Sequence, residues 1–206
     1  MHKTVQNLLN IKTQIKTKII ELKYNYTPEI IAVSKTFSMD HIRPLIESGH
    51  IHFGENKVQE ALEKWSEIKK NNKSLKLHMV GKLQTNKVKF ALKIFDYIHS
   101  LDNLKLAKKI SEEQKNYTNK PKIFIQINIG NEDQKNGVSL NEFEAFFKKT
   151  EDFNLDVIGL MCIPPFVKNT EIYFKKMVQI KDKTNLKELS MGMSNDYIEA
   201  AKNSAT

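Results

Sequence analysis

The stretch IIAVSK at residues 30–35 predicts a buried β-strand that ends on a lysine. Its first four residues are apolar, and three of them are β-branched, which is typical of a strand covered on both faces. Such strands belong to parallel sheets with helices on either side. With Glu29 as its first residue, this strand would present Lys35 at its carboxyl end, where α/β barrels place their chemistry.

Helices alternate with strands along the rest of the chain. Helices are predicted at residues 5–23, 40–48, 56–70, 86–95, 103–117, 169–184 and 194–203, with one more after a capping box at 139–142. Strands are predicted to start near residues 29, 50, 75, 97, 122, 155 and 186. This alternation indicates parallel βαβ units in one domain spanning residues 1–206. We predict an α/β fold, a (β/α)8 TIM-type barrel whose eighth strand is not visible, in preference to an open doubly wound sheet.

The composition narrows the function classes. The chain has 206 residues and a net charge of +9, but Arg43 is its only arginine, and lysines alternate with glutamates as on solvated helix faces. The arginines and stacking aromatics that bind bases are scarce, which argues against a nucleic-acid partner.

The single Cys162 excludes an internal disulfide. No apolar run approaches the roughly 18–20 residues of a membrane span, and the first residues, MHKT, lack the apolar core of a signal peptide. We therefore expect a cytoplasmic protein.

Lys35 is the first candidate for chemistry. A lysine at the end of a buried strand costs free energy unless its charge is paired or lost. Desolvation lowers the pKa of a lysine, and the neutral amine is the form that attacks an aldehyde. The competing interpretation is a lysine whose ammonium simply reaches solvent. Position alone leaves both interpretations open.

The segment MGMSND at residues 191–196 is the second candidate. Gly192 allows a ligand to approach the backbone, and Ser194 is predicted to be the N-cap of the last helix. Free N–H groups of the first helical turn, with the Ser194 hydroxyl, would then bind an anion such as phosphate. Late strand–helix loops often hold phosphate in barrels. The alternative is an ordinary helix cap.

Four further candidates carry weaker signals. Residues 130–137, which include Lys135, form either a mobile loop over the barrel mouth or a surface turn. His78 lies in an apolar run and is expected to be a satisfied core histidine. His50 and His52 share one face of a strand, but no third ligand is near in sequence, so no metal site is predicted. Cys162 is expected to be a small buried residue.

Several motifs occur together and in a familiar order. They are AVSKT at residues 32–36, FGENKVQE at 53–60, HMVGKLQTNK at 78–87, QKNG at 134–137, GLM at 159–161 and LSMGMSND at 189–196. With these motifs the chain resembles the pyridoxal phosphate homeostasis protein family, which is related to the barrel domain of alanine racemase. The resemblance covers nearly the whole chain.

The resemblance implies a barrel that binds pyridoxal 5'-phosphate (PLP) as a Schiff base on Lys35. It implies a cofactor site completed by Asn56, Met161, Ser190, Gly192, Met193, Ser194 and Thr206. From its position, Lys135 is a candidate second amine for PLP. Family members continue into a final strand with an Arg-Ile-Gly-like start. Residues 204–206 match only the beginning of that segment, so we expect the barrel to be without its eighth strand.

The resemblance also implies a role without catalysis. The expected function is that of a carrier or regulator in intracellular PLP homeostasis, with PLP-dependent apo-enzymes as recipients, acting as a monomer or weak dimer. The alternative is a PLP-dependent amino-acid racemase-like enzyme. Racemisation needs an acid–base group on each face of the substrate carbon. None of the six tyrosines follows a strand in a way that supplies the second group.

Overall fold

Seven parallel strands form one sheet in chain order in the computed structural model, which describes residues 1–132 and 134–206. Each strand pairs with the strands that precede and follow it along the chain, and a helix lies between every two successive strands. The strands are β1 (Ala32–Val33), β2 (His52–Glu55), β3 (Lys76–Met79), β4 (Tyr97–Leu101), β5 (Lys122–Ile127), β6 (Asp156–Cys162) and β7 (Glu188–Ser190).

Eight helices accompany the strands in the described ranges. They are α1 (Lys3–Glu21), α2 (Met39–Glu47), α3 (Val58–Asn71), α4 (Val88–Ala91, after a 3-10 turn at Thr85–Lys87), α5 (Leu104–Gln114), α6 (Phe143–Glu151), α7 (Glu171–Asp182) and α8 (Tyr197–Lys202). Within these residues, no helix is long and apolar enough to cross a membrane.

The two outer strands are joined through Thr206. Its N–H donates to the carbonyl of Leu189 in β7 over 3.0 Å, and its carbonyl accepts from the N–H of Glu29, just before β1, over 2.6 Å. The sheet therefore curls until its ends approach each other, as in an eight-stranded barrel that lacks one strand. The predicted α/β barrel and its seven strands are confirmed.

The core lies between the sheet and the surrounding helices. Trp65 of α3 packs on Phe53 of β2 with 4.8 Å between ring centres, and both side chains are fully buried. Alternate residues of each strand face this layer, because successive side chains in a strand point to opposite faces. In a second, smaller cluster, Ile15 and Ile19 of α1 pack against Ala201 of α8.

Several predicted boundaries were wrong. Strand β1 has two residues instead of seven, and Val33 is 43% exposed, because β1 is an outer strand that pairs only with β2. Strand β2 begins at His52, so His50 lies outside it. The predicted capping box is a turn in which Ser139 donates to Glu142, and α6 begins only afterwards.

Candidate functional site

The backbone before Lys35 is held by a buried carboxylate. Ser34 donates from its hydroxyl to Glu55 Oε1 over 2.8 Å, and Lys64 of α3 donates to the Ser34 carbonyl over 2.9 Å. Glu55 is fully buried, and the same oxygen accepts from Lys64 Nζ and Trp65 Nε1 over 3.0 Å each. Helix α3 and strand β2 thus fix where the chain leaves β1.

The backbone after Lys35 is also fixed. Thr36 has a φ of +64°, a left-handed conformation that residues other than glycine seldom adopt. Its N–H donates to Glu60 Oε1 over 2.8 Å, and this hydrogen bond lowers the pKa of Glu60. Such conformations cost about 1–3 kcal/mol and persist where surrounding contacts impose them. Lys35 is therefore presented on a short, pinned turn.

Lys35 itself is exposed, which corrects the expectation that it ends a buried strand. The reason is again that β1 is short and lies at the open side of the sheet. Its amine makes no hydrogen bond or ion pair with any residue in the described ranges. By contrast, Lys82 at the same end of the sheet donates to Asn136 Oδ1 over 2.8 Å.

Asn56 and Met161 occupy neighbouring parts of the same edge. Asn56 follows β2, and its backbone packs so closely on Gly81 that a Cβ there would lie 2.4 Å from the Asn56 carbonyl oxygen. Met161 is buried near the carboxyl end of β6, and the strand register pairs it with Ser190 of β7. Since parallel strands end at one edge, these residues share the barrel mouth with Lys35.

The loop after β7 offers free backbone donors. Gly192 has a φ of +91°, and the N–H of Met193 donates to Asp196 Oδ1 over 2.6 Å. No acceptor from the described residues meets the N–H groups of Gly192, Ser194 and Asn195. Ser194 is exposed and lies in a turn.

The predicted N-cap role of Ser194 was wrong. Helix α8 begins at Tyr197, and Asp196 occupies the cap position. The N–H groups of Asp196 and Tyr197 already donate to the carbonyl of Met193 over 3.0 and 2.9 Å. The short Asp196 turn displaces the start of the helix, so any anion would meet loop N–H groups and not a helix terminus.

Thr206 uses its hydroxyl within the sheet. The oxygen accepts from the N–H of Leu189 over 2.9 Å, beside the backbone bridge already described. Its predicted contact with the cofactor stays a prediction.

The loop after β5 places the Lys135 amine against the protein. Lys135 donates to the Pro164 carbonyl over 2.9 Å and pairs with Glu132 at 2.6 Å. Asn128 donates to the carbonyl of Glu132 and accepts from its N–H, which ties the loop to β5. Within the segment 130–137, Asp133 lies outside the described residues.

Cys162 is a buried residue, as predicted. It is 3% exposed at the end of β6, and burial raises the pKa of its thiol to about 12. The charge of Asp196 also raises this pKa and that of Lys135 lowers it, but burial is the main cause.

A row of histidines crosses the inside of the barrel. His52 Nδ1 lies 3.0 Å from His78 Nε2, and His78 Nδ1 lies 2.9 Å from His99 Nε2. His99 Nδ1 then lies 2.7 Å from the hydroxyl oxygen of Ser190. Burial lowers the pKa of His78 to about 2 and that of His99 to about 3. His78 is the satisfied core histidine that the sequence predicts.

Sequence reasoning missed two parts of this site. It did not connect Glu55 with Lys64, although a glutamate ending one strand and a lysine on the following helix are a detectable combination. It considered His78 alone, without His99 and Ser190, because these partners lie on strands far apart in sequence.

No group of three or more histidine, cysteine or carboxylate side chains suited to a metal ion occurs in the described part of the chain.

The chain is similar to known proteins over nearly its full length. A profile of the family described as "Alanine racemase, N-terminal domain" matches residues 10–206, so fold and sequence place the protein in that class. The pyridoxal phosphate homeostasis protein of Aquifex aeolicus (strain VF5) is 36% identical over 188 residues, which cover 86% of this chain and 82% of that protein. The chain belongs to the family of pyridoxal phosphate homeostasis proteins.

Two solved structures of PipY from Synechococcus elongatus PCC7942 have the same fold. Without PLP, PipY matches with a TM-score of 0.80 at 31% identity, and with PLP bound it matches with 0.77 at 30% identity. Both comparisons cover 93% of this chain and 95% of that one. A relative of similar length and fold therefore binds PLP.

Proposed function

We propose that this protein binds PLP through a Schiff base on Lys35 and takes part in intracellular PLP homeostasis as a carrier or regulator. The observation that carries this proposal is the amine of Lys35, exposed and without a partner among the described residues, at the carboxyl edge of the barrel. The family membership and the PLP-bound PipY structure support the same cofactor.

The residues at the barrel mouth fit the two ends of PLP. PLP supplies an aldehyde for an amine and a phosphate for hydrogen-bond donors. Lys35 would hold the aldehyde end, with Asn56 and Met161 beside the ring. The loop N–H groups of Gly192 and Ser194 would hold the phosphate.

Further groups complete the proposed set. Ser190 and Ser194 would add hydroxyl donors to the phosphate, and Met193 would shape the loop around it. Thr206 would lie beside the phosphate. Lys135 would act as a second amine, which requires it to leave Glu132 and the Pro164 carbonyl.

We further propose that the protein does not turn over amino acids. A racemase needs a second acid–base group opposite Lys35. Three tyrosine hydroxyls are already engaged: Tyr24 donates to the carbonyl of Lys202, Tyr117 to the carbonyl of Lys89 and Tyr197 to the side chain of Gln14. The racemase-like alternative predicts turnover of alanine or another amino acid by purified protein loaded with PLP, and robust turnover would contradict the proposal.

The remaining parts of the proposal concern partners and place. We propose a cytoplasmic monomer or weak dimer that passes PLP to PLP-dependent apo-enzymes. In this proposal it binds neither nucleic acid nor membrane. Lysines on its helix faces form exposed ion pairs with glutamates, as Lys175 does with Glu171. Salt-dependent binding to nucleic acid would contradict this part.

An absorbance spectrum tests the central step. Purified protein mixed with PLP should show a Schiff-base band at about 420 nm. The band should be absent in Lys35→Ala and in Lys35→Arg, which keeps the charge. Lys187→Ala is the matched control, because Lys187 is an exposed lysine just before β7, at the opposite end of the barrel. A band that survives in Lys35→Arg would contradict the proposal.

A further inference from the structure

Three histidines and a serine form a continuous row inside the barrel, here named the histidine chain: His52, His78, His99 and Ser190. Each of its three contacts joins two polar atoms that lie 3.0, 2.9 and 2.7 Å apart. Each contact therefore needs one proton, carried by one of its two atoms. The proposed function gives these histidines no role.

The protons in the histidine chain must all point the same way. His78 and His99 are neutral at pH 7, because burial lowers both pKa values far below neutrality. A neutral imidazole has one N–H and one acceptor nitrogen. If His78 donates from Nδ1 to His99, its Nε2 has to accept from His52, and His99 has to donate from Nδ1 to Ser190. A mixed direction would leave one buried hydrogen bond unmade, which is costly.

The rings are fixed, so that only the protons can change. His78 stacks on Tyr97 with 4.2 Å between ring centres and 7° between ring planes. His99 stacks on Phe124 at 4.3 Å and 15°. Turning either ring over about its Cβ–Cγ bond would put a carbon where each hydrogen-bonding nitrogen lies and so break the hydrogen bonds, and tilting either ring would break the stacking. The two allowed states therefore differ in tautomer alone.

The two states offer different surfaces at the barrel mouth. In one, every ring is an Nδ1–H tautomer, Ser190 accepts from His99, and its hydroxyl proton is free to point elsewhere. In the other, Ser190 donates to His99 and has no proton left to give. An anion that accepts a hydrogen bond from Ser190 is compatible only with the first state.

We infer that His52, His78 and His99 are positioning residues that direct the hydroxyl proton of Ser190 toward the phosphate of the cofactor. The inference rests on the proposed function, because it takes phosphate as the anion beside Ser190. With the anion bound, His78 and His99 are both Nδ1–H tautomers. Only Ser190 touches the anion, and the histidines act through it.

Ring-nitrogen NMR of the full chain, labelled with ¹⁵N-histidine, tests this inference. Spectra are recorded for the free protein, with inorganic phosphate and with PLP. We expect His78 and His99 to be Nδ1–H tautomers in both bound forms. The exposed His2 and His41 lie outside the histidine chain and serve as internal references. An Nε2–H tautomer at His78 or His99 in a bound form would overturn the inference.

Two variants at the end of the histidine chain separate positioning from simple structure. Ser190→Ala removes the hydroxyl, and phosphate should then no longer set the tautomer of His99, whereas Ser190→Thr should restore the wild-type signals. Equal tautomer populations in wild type and Ser190→Ala with phosphate present would also overturn the inference. The 420 nm band reports separately on Lys35. If that band is absent while phosphate still sets the tautomers, the Lys35 assignment fails and this inference stands.

Discussion

His99 Nδ1 lies 2.7 Å from Ser190 Oγ, although their strands, β4 and β7, have two other strands between them in the sheet. A hydrogen bond between such distant strands is possible only because the sheet curls and brings its inner faces together. The inside of this barrel is therefore polar in part, and its histidines replace some of the branched aliphatic side chains that usually fill a barrel.

Acid should destabilise the protein through its buried histidines. Burial lowers the pKa of His50 to about 4, of His78 to about 2 and of His99 to about 3. The unfolded chain takes up protons at these histidines below pH of about 6.5, whereas the folded protein does not. The free energy of unfolding should therefore fall as the pH is lowered from 6.5 to 4.5, by up to about 1.4 kcal/mol per pH unit for each histidine.

Urea unfolding at a series of pH values measures this slope. His41→Gln is the control, since His41 is exposed on α2 and its removal should leave the slope unchanged. A free energy of unfolding that stays constant between pH 6.5 and 4.5 would contradict the assignment of these three histidines as neutral and buried.

Glu55 should be essential for the turn that carries Lys35. Glu55→Gln removes the buried charge opposite Lys64, whose side chain is only 11% exposed, while Glu60 still pairs with that lysine. Removing one partner of a buried ion pair is strongly destabilising, and we expect a loss of about 3 kcal/mol in the free energy of unfolding. Urea unfolding of Glu55→Gln and of Glu67→Gln, an exposed position on α3, makes the comparison. Equal stabilities of the two variants would show that the Glu55 contacts contribute nothing.

Gly192 should be needed for phosphate binding. Gly192 and Gly49 have similar φ values, +91° and +86°, so alanine at either position costs about 1–2 kcal/mol of backbone strain. At Gly192 the new Cβ would also lie 2.6 Å from the Cβ of Ala200, whereas nothing lies within 4 Å at Gly49. We expect Gly192→Ala to weaken PLP binding about tenfold, a loss of about 1.4 kcal/mol, and Gly49→Ala to leave it unchanged.

Titration of the Schiff-base band with PLP, and with pyridoxal as the phosphate-free control, gives both affinities. The loss in Gly192→Ala should be confined to PLP. An equal loss for pyridoxal would place the effect outside the phosphate site.

Lys135 should slow the release of PLP if it acts as a second amine. Its present partners, Glu132 and the Pro164 carbonyl, hold it beside the mouth. Lys135→Ala should therefore release PLP faster than wild type when apo-enzyme or free amine is added. Stopped-flow absorbance follows the release, with Lys187→Ala as the control. An unchanged release rate in Lys135→Ala would remove Lys135 from the proposal.

The sequence predicts the order of elements better than their ends. The seven strands appear at the apolar runs that predict them. Each of these runs has the length of a buried strand and is too short for a helix. The strand at β1 was predicted, but its length of two residues and the exposure of Val33 were not, because its position at the side of the sheet depends on tertiary contacts of which the run IIAV carries no sign. Ser194 was assigned as a cap from residue type, whereas Asp196, two residues later, takes the cap position.

The candidate site was predictable where its parts are local. Lys35 and the loop at residues 191–196 follow strands directly, so the strand-end rule finds them. The Glu55 contacts and the histidine chain join residues up to 91 positions apart in sequence, and only folding brings them together. Their residue types are visible in the sequence, but their pairing is not.

Borohydride reduction followed by peptide mapping tests the central claim most directly. Protein mixed with PLP is treated with borohydride, which fixes a Schiff base as a stable pyridoxyl-lysine, and the labelled peptide is identified by mass spectrometry. We expect the label on Lys35 in the wild type and no label at that position in Lys35→Arg. A wild-type label found mainly on Lys135 or another lysine, or no label at all, would contradict the claim that Lys35 holds the cofactor.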